Sequence, residues 1–235
     1  MSSLGLSLIR KISGALVIAL VAAVAQVGAE EMLPPGQGRI VSHRLYLLYL
    51  PSSLENAPGR RPLVIGLSPA GSTEEVFYVW KRVAEARAWP VMASKLFRNS
   101  IEAEPIFADL MAEVPKLAEE YPIDRSRIIA SGFSGGGMGA HMMAFLYPQV
   151  VAAIANCGVI HPNYLSGSHG AYPKRKTAVL IASKTDTRTY PTMGQNRSFL
   201  EDRNWRLEWT EFDGGHSPAP IESYLKATEW LQAQL

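Results

Sequence analysis

The chain has 235 residues, 47% hydrophobic and 19% charged, with one cysteine. That length and apolar content suit a folded domain with its own core and exclude a disordered chain, and a lone cysteine excludes an internal disulfide framework. The formal charge of +2 comes from interspersed signs, with no basic run longer than Lys174-Arg175-Lys176, so no nucleic-acid partner is expected.

The amino terminus reads as an export signal. Arg10 and Lys11 are the only charges in residues 1–29. An apolar run of about 16 residues follows from Ile12 to Val27, shorter than the roughly 20 a membrane span needs. Val27-Gly-Ala29 then puts small residues just before Glu30, which completes the layout of a secretory signal. The expectation is a signal over residues 1–29, a mature domain over residues 30–235, and a secreted or periplasmic protein. Membrane contact is expected only if the signal stays uncleaved.

Along the mature chain, residues 40–50 are rich in Tyr, Leu and Val and predict one long outer strand, followed by a turn-rich linker over residues 51–61. Residues 62–67 form the continuous apolar run of a central parallel strand. Residues 73–88 suit a helix capped by Ser72 or Thr73, and residues 89–93 a short strand. Residues 104–120 predict a helix with apolar positions at Ile106, Leu110, Val114 and Leu117. Pro105 falls in its first turn, where a missing N–H costs nothing, while Pro115 predicts a kink. A strand over 127–131, a helix over 135–146, buried strands over 150–156 and 177–182, a strand over 205–212 and a closing helix over 220–235 complete the pattern. Cys157, at the end of an apolar run, reads as a buried structural thiol. Such alternation implies one α/β domain with a mostly parallel sheet and helices on both faces.

Gly132-Phe-Ser134-Gly-Gly136 carries the strongest chemical signal, because it matches G-x-S-x-G between a predicted strand and a predicted helix. A serine on that sharp turn projects its hydroxyl from the top of a sheet, and its flanks must be small where strand and helix backbones meet. The helix that follows aims N–H groups and the positive end of its dipole at a developing oxyanion. A phosphate cradle is the competing reading of Gly135-Gly-Gly137, but it would need Lys-Ser or Lys-Thr next, and Met138-Gly139 stands there. A serine nucleophile needs a base oriented by an acid, in the chain order Ser, acid, His. His216 is the only histidine late enough, whereas His43, His141, His161 and His169 all precede the acid's expected place. For the acid, Asp186 follows the strand over 177–182, with Asp213 and Asp202 or Glu201 as alternatives. The oxyanion donors expected are the N–H of Gly135 and one from Ala70, Gly71 or Ser72, since Pro69 has none to give.

Together these residues resemble the α/β-hydrolase superfamily, and within it secreted esterases of the polyhydroxybutyrate depolymerase, feruloyl esterase and acetylxylan esterase type. The likeness rests on Ile123-Asp-Arg-Ser-Arg-Ile128, Ser131-Gly-Phe-Ser-Gly-Gly136 and His216-Ser-Pro-Ala-Pro220. It departs at Ser68-Pro-Ala-Gly71, where those families usually carry a His-Gly pair, and in the short stretch between residues 156 and 177, which implies a reduced lid. The resemblance implies a serine esterase with Ser134 as nucleophile, His216 as base and Asp186 as its orienting acid. It implies no cofactor and no metal, and a small-molecule or polymeric ester as substrate. A peptidase, a thioesterase, an acyltransferase or a non-catalytic binding protein would share the same fold.

Overall fold

The computed structural model describes residues 38–235, so the expected export signal at residues 1–29 lies outside the described residues. The described chain enters through a hairpin instead of the single strand expected over 40–50. Here β1 (Arg39–Ser42) pairs antiparallel with β2 (Tyr46–Leu50), Arg39 opposite Leu50. The reversal is closed by the His43 N–H, which donates to the Tyr46 carbonyl at 2.9 Å, and by the His43 ring packed 4.5 Å from that of Tyr46. Apolar composition alone does not separate one long strand from two short ones.

After a 3₁₀ turn at Ser52–Asn56 come β3 (Arg61–Leu67), α1 (Thr73–Arg87), β4 (Val91–Ser94) and α2 (Ala103–Glu120). Next follow β5 (Ile123–Phe133), α3 (Gly135–Leu146), β6 (Val150–Asn156) and the short α4 (Pro162–Leu165). The chain closes with β7 (Thr177–Ser183), α5 (Tyr190–Glu201), β8 (Arg206–Phe212) and α6 (Ile221–Gln232). The eight strands form one sheet in the order β1-β2-β4-β3-β5-β6-β7-β8. Only the β1–β2 and β2–β4 pairings are antiparallel. β5 begins earlier than its apolar run, because the polar stretch Asp124-Arg-Ser-Arg127 masks the strand's first half.

Successive strand residues serve opposite faces, as the pleat demands. Leu63, Ile65 and Leu67 join Phe107, Leu110 and Val114 of α2 and Met143 of α3 in one core layer. Val64, Ile129, Val179 and Ile181 join Trp80 and Val83 of α1 and Tyr224 and Leu231 of α6 in the other. Covering both faces is why the central strands read as unbroken apolar runs. α2 continues past Pro115. The lost hydrogen bond and clash cost about 3 kcal/mol, and buried Leu110, Val114 and Leu117, at about 1.5–3 kcal/mol each, outweigh them. α1 is capped as expected, with Ser72 Oγ accepting from the Glu75 N–H at 3.1 Å. Between β6 and β7 the only helix is the single turn of α4. Among the described residues, no helix is long and apolar enough to cross a membrane.

Candidate active site

Three loops at the carboxyl ends of the parallel strands converge on one point. The first is the turn from β5 into α3. Ser134 occupies it with φ 53° and ψ −119°, a conformation that strains any residue bearing a side chain, by about 1–3 kcal/mol. The turn is held on both sides. Its N–H donates to the Asn156 carbonyl at 2.8 Å, and its carbonyl accepts from the Met138 N–H at 3.0 Å. The glycines around it are required by space. A β-carbon on Gly132 would overlap the backbone of Gly136, and one on Gly136 would overlap the carbonyl of Leu67. α3 therefore starts hard against β3 and β5, with the N–H of Gly135 at its open first turn.

The second loop follows β7 and brings Asp186, which is 2% exposed. One carboxylate oxygen accepts from the backbone N–H groups of Arg188 and Thr189 at 3.1 and 3.3 Å, and the other from the Thr189 hydroxyl. The third loop follows β8 and brings His216 through Gly214 and Gly215, the latter at φ 65°. Thr185 Oγ1 anchors it by accepting from the Gly215 N–H at 2.9 Å. His216 Nδ1 then lies 2.7 Å from Asp186 Oδ2, and His216 Nε2 lies 2.8 Å from Ser134 Oγ. The Phe133 ring packs 5.0 Å from the imidazole. Burial raises the Asp186 pKa, but the Thr189, His216 and Arg188 hydrogen bonds outweigh it and hold the carboxyl down at about 2. A permanent carboxylate on Nδ1 leaves Nε2 as the acceptor facing the serine hydroxyl.

The rival acids are elsewhere. Asp213 is exposed, Asp202 is exposed at the end of α5, and Glu201 pairs with Arg197 at 2.9 Å. The other histidines are packing groups: His141 is buried in α3, where burial pushes its pKa down to about 4, and His169 stacks on Tyr164 at 4.6 Å. His161 Nδ1 accepts from the Asn163 N–H at 3.2 Å. The loop after β3 keeps two of its N–H groups to itself. Ala70 N–H donates to Ser68 Oγ at 3.1 Å, and Gly71 N–H donates to the Ser68 carbonyl at 3.2 Å. Ser68 thus folds its hydroxyl back onto the backbone, and that hydroxyl in turn donates to Glu75 at 2.5 Å.

Among the described residues, one grouping has the composition of a metal site: potential ligand atoms of Cys157, Asp186 and His216 all lie within 4.8 Å of one another. Its donor set is poorly suited to an ion. Burial pushes the Cys157 thiol up to about 11, so it stays protonated at neutral pH, and Asp186 and His216 turn the relevant atoms on each other. The thiol is buried, as its apolar flank predicts.

Asn156 is the residue the sequence reading misses. Its side chain is fully buried at the end of β6, donating to the Ile181 carbonyl at 3.1 Å and accepting from the Ala219 N–H at 2.8 Å and the Tyr224 hydroxyl at 3.3 Å. With its carbonyl on Ser134, it touches all three loop systems. A polar residue closing a buried strand was the available signal. Thr185 and Thr189 bracket Asp186 and carried none.

No protein-family model matches the chain, and no curated protein sequence matches it. Solved structures do. An esterase from the Planctomycetes species Thermogutta terrifontis, described as phosphonylated by cyclosarin, superimposes with a TM-score of 0.64 at 18% identity, over 87% of this chain and 94% of that one. A carboxylesterase of Bacillus cereus matches with a TM-score of 0.59 at 17% identity, over 74% of this chain and 89% of that one. An S-formylglutathione hydrolase from Agrobacterium tumefaciens matches with a TM-score of 0.60 at 14% identity, over 87% and 93%. At such identities the likeness establishes the α/β-hydrolase fold, and the chemistry has to be argued from the residues.

Proposed function

We propose that this protein is a serine hydrolase of carboxylic esters. The observation that carries the reading is the unbroken hydrogen-bond chain from Ser134 Oγ through both nitrogens of His216 to buried Asp186, set at the end of a strained strand-to-helix turn. Ser134 Oγ attacks the ester carbonyl carbon while His216 Nε2 takes its proton. Asp186 keeps the ring in the correct tautomer and stabilises the imidazolium. The Gly135 N–H, at the positive end of α3, faces the charge that develops on the carbonyl oxygen. Collapse of the tetrahedral intermediate expels the alcohol, which leaves with the proton from His216. A water then gives a proton to His216 and attacks the acyl-serine, and collapse of the second tetrahedral intermediate releases the acid as Ser134 Oγ takes that proton back from His216. None of these steps calls on a group from outside the chain other than substrate and water.

Two of the structural neighbours support the ester as substrate, since they are named a carboxylesterase and an esterase, the latter described as phosphonylated. Replacing Ser134 by alanine is expected to lower kcat on p-nitrophenyl esters by about a million-fold and to abolish labelling by a fluorophosphonate probe. Undiminished turnover in that variant would sink the reading. The substrate is a small-molecule or polymeric ester, and a panel of short-chain, aryl and sugar-acetyl esters and a polyester identifies which. Export is proposed on the pattern of residues 1–29; an N-terminus near Glu30 in the purified mature protein checks it.

A further inference from the structure

We propose that the side-chain amide of Asn99 is the second oxyanion donor, a role that rests on Ser134 being the nucleophile. The loop expected to supply this donor is mostly engaged: Pro69 has no N–H and those of Ala70 and Gly71 are bound to Ser68, which leaves that of Ser72. Asn99 approaches the same point from the neighbouring loop, between β4 and α2. The three atoms nearest the β position of Gly135 all belong to its carboxamide. A β-carbon there would collide with Oδ1 and would lie 3.3 Å from Nδ2. Gly135 is thus small partly to admit this amide beside the nucleophile.

The segment holding Asn99 is fixed. Its own N–H donates to the Pro69 carbonyl at 2.9 Å, which ties it across the loop after β3. Buried Ser94 accepts from the N–H groups of Leu96 and Phe97 at 3.3 and 3.1 Å, and Phe97 stacks on Phe107 at 5.6 Å. Ser100 turns the chain away with φ 63°, a left-handed conformation serine rarely adopts. On this scaffold the Asn99 carboxamide is exposed and makes no hydrogen bond with any described residue. An amide with a free NH₂ beside Gly135, the residue that follows the serine, suits a charge that exists only in the transition state.

The test compares wild type, Ser134→Ala, Asn99→Ala and Asn99→Asp on one p-nitrophenyl ester. Turnover and probe labelling in wild type, both lost in Ser134→Ala, establish the nucleophile independently. Asn99→Ala is then expected to lose about 10²–10³-fold in kcat with KM nearly unchanged. Asn99→Asp, which keeps the shape but cannot donate, should lose at least as much. Because residue 99 is exposed, both variants should keep the wild-type melting temperature. If either retains kcat within about tenfold of wild type while Ser134→Ala is dead, the second donor is a backbone N–H and the assignment of Asn99 is overturned. A wild type with neither turnover nor labelling overturns both readings.

Discussion

Asp186 shows how one buried group can link activity to stability. Its carboxylate is held near pKa 2, below the ordinary 3.8, because hydrogen bonds from Thr189, His216 and Arg188 outweigh the burial that would raise it. A carboxyl depressed in the native state stabilises the fold fully above its unfolded value and loses that contribution as pH falls toward the native one. The contribution is therefore present at neutral pH, declines between about pH 4 and pH 2, and amounts to about 2 kcal/mol. Asp186→Asn should flatten this acid limb, read as a smaller change in the urea midpoint between about pH 5 and pH 2 than wild type shows. The same variant should lose about 10⁴-fold in kcat, since an amide cannot hold His216 in the tautomer that accepts the serine proton. Asp213→Asn, at an exposed position without a role in the site, should match wild type in both measurements. A larger loss at Asp213 would reverse the assignment of the acid.

At the scale of elements, the site depends on how closely α3 can start against β3. A β-carbon on Gly136 meets the backbone of Leu67, which cannot rotate away, so Gly136→Ala must push strand and helix apart. The expected cost is about 1–3 kcal/mol, with a loss of kcat because Ser134 moves with the turn. Gly194, inside α5, is the control: nothing lies within 4 Å of its β position. Gly194→Ala should stabilise the protein by about 0.5–1 kcal/mol and leave kcat alone. Urea titrations of the two variants should therefore move in opposite directions. Elements of this kind were legible in the sequence wherever a continuous apolar run or a glycine-framed turn marked them, as in β3, β6, β7 and the turn at Ser134. Where pairing is set by partners distant in the chain, the local pattern had nothing to report. The residues expected to form one strand over 40–50 become a hairpin because β2 pairs with β4 on one side and β1 on the other. β5 begins at Ile123 because Arg61 of β3 pairs with it there, despite the polar residues that follow. That Ser134, Asp186 and His216 meet was legible from chain order and turn chemistry. Asn99 was not, since its place beside Gly135 arises only when two loops meet.

At the scale of the whole molecule, the question is what keeps three loops from different parts of the chain in register, with Ser134 and His216 82 positions apart. Asn156 is the physical answer. It receives the Ser134 N–H on its carbonyl, the Ala219 N–H and Tyr224 hydroxyl on Oδ1, and donates to Ile181 in the strand that leads to Asp186. It thereby joins the Ser134 turn, the His216 loop, α6 and β7 through one fully buried residue. Removing the amide would strand the Ala219 N–H and the Tyr224 hydroxyl away from water, each costing about 1–3 kcal/mol when unpaired, whereas the Ile181 carbonyl keeps the Cys157 N–H. Asn156→Ala should therefore destabilise the fold by about 2 kcal/mol or more, read by urea titration, and lower kcat even at temperatures well below its own transition. Asn156→Asp separates these two effects. It can still accept from Ala219 and Tyr224 but repels the Ile181 carbonyl, so it should keep the histidine loop placed while loosening β7. Its kcat should then exceed that of Asn156→Ala measured at equal fractions folded. If the two variants lose kcat only in proportion to their unfolded populations, Asn156 holds the fold together but does not align the site.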